Sequence, residues 1–333
     1  MQPSISVLGA GSWGTALAIL AARNGCQTLL WGHDPAHIQS LAAERQNRRY
    51  LPDLLFPQTL SVTDNLAQAI QHSRILLLSV PSHAFRHTLS RIKPLLAEDA
   101  SIIWATKGFD PDNGELLSTI VSEILSPDIA MAVLSGPSFA REVASNLPTA
   151  ITVASEQPAF AEKIAAIFHN PRFRIYTNTD LIGVQVGGAV KNVLAIAAGI
   201  ADGLGFGANT RAALITRGLT EIIRLGLKLG GKQETFMGLA GLGDLILTCT
   251  DNQSRNRRFG LALGQGKDFA TALQEIDQEV EGIFAAKETY FLAQQLGIDM
   301  PITEQTYKVL YEQVSPLEAV ETLLGRDQKA ESN

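Results

Sequence analysis

The chain has 333 residues and a mass of 35.8 kDa, past the length at which one hydrophobic core usually stops growing, so two domains are expected. Hydrophobic residues make up 46% and charged residues 18%, a balance that excludes a disordered chain. The net charge of -6 and a pI near 5.6 argue against non-specific nucleic-acid binding, so an anionic ligand calls for a local basic site.

Through the first half, short apolar runs alternate with longer helix-period segments, the pattern of a parallel sheet covered by helices on both faces. The predicted strands are Ile5 to Leu8, Thr28 to Trp31, Ile75 to Val80, Ile102 to Ala105, Ala130 to Leu134, Ala150 to Val153 and Phe173 to Tyr176. Beyond Asp180 the alternation stops, and Leu181 to Ile200, Asn209 to Leu229 and Gly282 to Leu296 carry helical spacing. The expected architecture is α/β, an N-terminal Rossmann-type doubly wound sheet over 1–180 followed by an all-helical C-terminal domain over 181–333. Thr179 and Asp180 can cap the helix that opens the second part. The polar tail from Arg326 to Asn333 is expected to fray. Ile182 to Ile200 is the most apolar region, but Gln185, Lys191 and Asn192 interrupt it, and a lysine at the middle of a membrane span would be costly. The N-terminal apolar residues are better used as a first strand than as a leader. Cys26 and Cys249 are too few for a disulfide framework, and no Cys/His cluster suggests a metal, which fits a reduced, intracellular setting.

Gly9-Ala10-Gly11-Ser12-Trp13-Gly14 follows the first strand directly and opens a helical run. Gly9 permits the tight turn, Gly11 lets backbone approach a pyrophosphate, and Gly14 lets helix and strand pack closely; the amides at the helix N-terminus then meet the phosphates. Asp34 lies 20 residues after Gly14 (34 minus 14), where an acid accepts the 2'-hydroxyl of NAD, yet it can equally cap the next helix ahead of Pro35. Arg45, Arg48 and Arg49 downstream could instead reach the 2'-phosphate of NADP, so both cofactors stay open.

Lys107 comes just after a strand and points toward the crevice where ligands of open parallel sheets bind. Ser135-Gly136-Pro137-Ser138 holds the equivalent place one strand later; it can face a small polar ligand or serve as a plain N-cap. Lys191-Asn192 interrupts an apolar helix and shares a face with Gly187, Gly188 and Ala195, which buries an amine. Burial lowers a lysine pKa, a second cation such as Lys107 lowers it further, and such a lysine can trade a proton near neutral pH. The bland alternative is a lysine paired with a structural carboxylate. Gly238 to Asp244 leads to Ser254-Arg255-Asn256-Arg257-Arg258, where three arginines can form an anion site or a solvated basic face.

Taken together these segments resemble the NAD(P)-dependent glycerol-3-phosphate dehydrogenases of the soluble bacterial type, from Ile5 to about Gly325. The likeness rests on G-A-G-S-W-G, L-W-G-H-D, A-T-K-G, S-G-P-S-F-A, G-G-A-V-K-N, G-L-G-D-L, S-R-N-R and V-E-G, in that order. The resemblance implies reversible interconversion of dihydroxyacetone phosphate and sn-glycerol 3-phosphate with NAD or NADP and no metal, in the cytoplasm, supplying phospholipid synthesis. By similarity, Ser12, Trp13, His33, Lys107, Ala140, Arg255 and Glu281 would contact the cofactor. Lys107, Gly136, Ser138, Lys191, Asp244, Ser254, Arg255 and Asn256 would line the substrate site, with Lys191 as the proton-transfer residue. A homodimer is expected from the family alone. One departure is Glu279, where that family often has a hydrophobic residue. The rivals are a hydroxyacid dehydrogenase of the 6-phosphogluconate dehydrogenase type and, in another class, a cofactor sensor without turnover.

Overall fold

A computed structural model describes residues 3–327 of the chain. Among the described residues there are ten strands: β1 Ser4–Leu8, β2 Gln27–Trp31, β3 Gln46–Asn47, β4 Leu51–Leu55, β5 Leu60–Thr63, β6 Ile75–Leu78, β7 Ser101–Trp104, β8 Met131–Ser135, β9 Thr149–Ala154 and β10 Phe173–Asn178. The helices of the first half are α1 Ser12–Arg23, α2 Pro35–Glu44, α3 Leu66–His72, α4 Ser82–Ile92, α5 Leu117–Ile124, α6 Ala140–Ala144 and α7 Pro158–Phe168. In the second half come α8 Leu181–Gly203, α9 Ala208–Lys228, α10 Gln233–Phe236, α11 Asp244–Thr250, α12 Arg255–Gly264, α13 Phe269–Ile276, α14 Glu281–Leu296, α15 Pro301–Tyr311 and α16 Pro316–Leu324.

Eight strands form one sheet in the order β10-β9-β8-β7-β6-β1-β2-β5. Its central strands are mostly apolar and buried on both faces, as helices above and below require. The expectation of an all-parallel sheet is corrected at one edge, because β8 pairs β9 antiparallel. The connection between them holds only the five-residue α6, too short to carry the chain back along a strand, so it turns round instead. Three strands are additional to those expected. The four-residue β5 is short, and the β3/β4 hairpin contains Pro52 and the left-handed Asp53 (φ 69°), which break any alternating pattern. The chain order reverses between β1 and β6, where the C-terminal strand ends leave a crevice.

Asp180 begins α8 by accepting the Gly183 amide at 2.8 Å. This helix is the axis of the second half, buried from Leu181 to Ala201 except at Ile182. It is long and apolar enough to cross a membrane, but 94% of that window is buried against the protein itself, as in a core helix. Helix α12 lies against it backbone to backbone. A Cβ on Gly199 would strike the Arg257 carbonyl, and one on Gly260 would strike the Ile196 carbonyl. That crossing sets the start of α12 beside the middle of α8. Of the tail, residues 328–333 lie outside the described residues, whereas Arg326 is held by Asp299 at 2.7 Å.

Candidate active site

The glycine turn leaves the end of β1 and is pinned between its neighbours, Gly9 N donating to Trp31 O at 2.9 Å and Ser79 N to Leu8 O at 2.8 Å. Gly9 sits at φ 123°, and a Cβ there would meet the Ser79 carbonyl; one on Gly14 would meet the Gly9 carbonyl. No side chain caps α1 at Gly11, so its first amides face the crevice. Trp13 adds an indole Nε1 that is buried without a partner. This uncapped, glycine-lined cradle suits a dinucleotide pyrophosphate. The cleft beyond it is lined by Gly9, Gly11, Ser12, Trp13 and His33, and on the far side by Arg255 and Glu281.

A second cleft of about 310 Å³ joins it and is lined by Lys107, Ser138, Ala140, Lys191, Asp244, Ser254, Arg255 and Asn256, with Ser12, Trp13, Arg255 and Glu281 shared between the two. Its floor is one buried carboxylate between two ammonium groups. Lys107 Nζ donates to Asp244 Oδ2 at 2.6 Å, and Lys191 Nζ donates to Asp244 Oδ1 and, at 2.8 Å, to Thr248 Oγ1. Lys191 is 6% exposed and Asp244 1%.

Two glycines make this meeting possible. A side chain on Gly187 would collide with the Ala240 carbonyl, so its absence lets the 239–243 turn approach α8 and deliver Asp244. Gly188 leaves the Lys107 stem room alongside α8. Gly136 (φ 145°) closes on Ile151 and does not itself line the cleft, although its carbonyl accepts the Ser138 hydroxyl at 2.9 Å.

Burial pulls the Lys191 pKa down to about 8, with Asp244 opposing and the Lys107 charge adding to the fall. For Asp244 burial works upward, but the two lysines outweigh it and hold the carboxyl below its ordinary range. The bland alternative for Lys191 is thereby answered in part: it does pair with a carboxylate, but in the wall of a cleft and with its proton affinity lowered.

At the start of α12, Ser254 caps the helix by accepting the Arg257 amide at 3.2 Å, leaving the amides of Arg255 and Asn256 without intrahelical acceptors. The Asn256 side chain is engaged inside the protein, donating to Asn192 Oδ1 at 3.0 Å and accepting from Gly282 N at 2.9 Å. The three-arginine anion site is corrected here. Arg257 turns inward to Asp202 at 2.5 Å, Asn252 and the Cys249 carbonyl at 3.1 Å, while Arg255 and Arg258 line the cleft. Asp34 acts as the cap of α2, its Oδ1 accepting the amides of Ala36 at 3.0 Å and His37 at 3.4 Å. Glu279 pairs with His83 of α4 at 3.0 Å in the wall of the first cleft.

Thr248, Tyr50, Leu51 and Gln278 also line these clefts and were not singled out from the sequence. Thr248 had a signal, since it lies four residues after Asp244 and so on the same helix face. Tyr50 and Leu51 sit in the unexpected hairpin.

Two family models match, the N-terminus of NAD-dependent glycerol-3-phosphate dehydrogenase over residues 4–161 and its C-terminus over 180–321. The chain belongs to the NAD-dependent glycerol-3-phosphate dehydrogenase family. The glycerol-3-phosphate dehydrogenase (NAD(P)+) of Aeromonas hydrophila subsp. hydrophila is 59% identical over 331 residues, 99% of each chain. The crystal structure of glycerol-3-phosphate dehydrogenase from Coxiella burnetii superposes with a TM-score of 0.95 at 50% identity, covering 98% of this chain and 99% of that one. The Saccharomyces cerevisiae enzyme gives 0.83 at 27% identity, covering 97% and 99%. The family's two parts fall on the two clefts' walls, with the sheet ends on one side and α8, α11 and α12 on the other.

Proposed function

We propose that this enzyme reduces dihydroxyacetone phosphate to sn-glycerol 3-phosphate, reversibly and with NAD or NADP, and that Lys191 is its proton-transfer residue. The carrying observation is the pair of ammonium groups on buried Asp244, at the floor of a cleft continuous with the glycine cradle. When bound, the nicotinamide supplies the hydride for reduction and takes it up in oxidation. Protonated Lys191 donates to the C2 oxygen as negative charge builds there, and in oxidation neutral Lys191 removes the C2 hydroxyl proton. Lys107 holds a second positive charge beside the same oxygen. Arg255 and the open amides of α12 bind the phosphate, a fork and a helix N-terminus both suited to a dianion. That remote anchor positions the carbonyl, so a substrate lacking phosphate loses turnover as well as affinity.

The same reading assigns the dinucleotide to residues 1–180 and the substrate anchor to 181–333, with Ser12, Trp13, His33, Ala140 and Glu281 on the cofactor and Ser138, Ser254 and Asn256 at the substrate end. A cytoplasmic homodimer supplying phospholipid synthesis belongs to it as well. The test is Lys191→Ala: dihydroxyacetone phosphate reduction should fall at least about a hundredfold while NADPH binding, followed by fluorescence, stays near normal. Near-normal turnover would remove Lys191 from the chemistry.

A further inference from the structure

The dinucleotide cleft changes character along its length. Near the glycine turn its walls offer backbone amides, and beyond the end of β2 His33, His37, Arg49 and Arg91 face it together with Asp34, while Asp277, Glu279 and Glu281 lie among the residues lining the rest of the cleft. Three arginines follow α2 closely in sequence, and their surroundings separate them. Arg45 donates to the Pro57 carbonyl at 2.8 Å and Arg48 lies 2.6 Å from a Glu44 carboxylate oxygen. Arg49 is the one of the three that lines the cleft, its guanidinium carbon 5.3 Å from the centre of the Tyr50 ring. Stacking on an aromatic face fixes the plane of a guanidinium while leaving its donor edge open. Arg91 stands over the Trp31 ring at 5.6 Å, at the last residue of β2. The acid placed by spacing to accept a ribose hydroxyl, Asp34, has one oxygen committed to two amides at the head of α2, and the positive end of that helix offsets its charge.

We infer that Arg49 recognises the 2'-phosphate of a phosphorylated dinucleotide and so sets the enzyme's preference between NADPH and NADH, with Arg91 as a second cation on the cleft wall. This rests on reading the cleft as the dinucleotide seat. A guanidinium fork matches two phosphate oxygens, whereas a 2'-hydroxyl presents no charge to it. Arg49 therefore acts on one cofactor and is indifferent to the other.

The experiment is fluorescence titration of the whole enzyme with NADPH and with NADH, for the wild type, Arg49→Gln and Arg48→Gln. Arg49→Gln should raise the Kd for NADPH about tenfold or more and leave that for NADH within about twofold, the loss expected for a charge-assisted contact present in one ligand only. Arg48→Gln, whose charge is already paired, should change neither. An equal loss for both cofactors, or an unchanged NADPH Kd, overturns the assignment while leaving the dinucleotide seat intact. Failure of the wild type to bind either cofactor overturns the seat itself and the assignment with it.

Discussion

Replacing Lys107 with Met should move the proton affinity of Lys191, and the shift can be worked from the site. Met keeps the stem that lies alongside Gly188 and removes the charge. Two ammonium groups on opposite oxygens of one carboxylate lie roughly 5 Å apart, which at an effective dielectric of about 20 gives a repulsion of about 3 kcal/mol. That equals about two pKa units. Lys191, now held down to about 8 by burial first and by the Lys107 charge in addition, should rise in the variant. Asp244→Asn removes attraction instead of repulsion, so Lys191 should fall below its present value. The assay is kcat/KM for sn-glycerol 3-phosphate oxidation against pH, which reports groups of the free enzyme. If Lys191 is the base, as proposed, oxidation needs it neutral, so the rate should climb as pH rises through its pKa. The wild-type midpoint should lie near 8, with the Met variant shifted to alkaline pH and the Asn variant to acid. The midpoints belong to the lysine pair as a coupled unit. A Met-variant midpoint still near 8, or shifts of both variants in one direction, would refute the electrostatic account of Lys191.

Gly199→Val should separate α8 from α12, because its Cβ would strike the Arg257 carbonyl. We expect a stability loss of about 1–3 kcal/mol in urea unfolding, and a KM for dihydroxyacetone phosphate that rises more than the KM for NADPH. Glu279→Gln should loosen the bridge from the 277–280 loop to His83. With both side chains partly exposed the charge contributes only about 0.2–1 kcal/mol, so hydrogen exchange at 277–283 in the cofactor-free enzyme should quicken by at most about fivefold. No change would mean that the pair carries no coupling.

The parts of the site legible in the sequence are those set by local rules. Gly9, Gly11 and Gly14 announce their turn through spacing alone, and Lys191 stands out because a cation inside an apolar helix needs a reason. Arg255 and Arg257 show where such reading stops. Two residues apart on a helix they face nearly opposite ways, and which face turns inward is decided by the packing of α12 on α8, not by the arginines themselves. Asp34 illustrates two local rules that need not exclude each other: Pro35 at the first position of α2 goes with its Oδ1 capping the helix, while Asp34 also lines the dinucleotide cleft as the ribose spacing expects. The reversal of β9 left no trace, since a buried run such as Ala150 to Val153 reads alike in either direction.

Why two lysines share one carboxylate follows from counting charge. With Lys191 protonated, Lys107, Asp244 and Lys191 together carry +1, in a floor where Asp244 is 1% exposed. The ketone is neutral there, so the surplus charge gains little from the bound ground state. Hydride addition puts -1 on the C2 oxygen, and the surplus is answered only then, which is stabilisation confined to the transition state. On the proposed role of Lys191, its proton transfer leaves a neutral alcohol above a neutral Lys107–Asp244 pair, so no net charge remains to hold the product oxygen. Removing Lys107 would leave the protonated site neutral and the developing alkoxide facing it uncompensated. Removing Asp244 would leave +2 buried and drive Lys191 to lose its proton early. A single carboxylate between the two lysines is thus the arrangement that keeps one proton available and one positive charge unspent until the oxygen needs it.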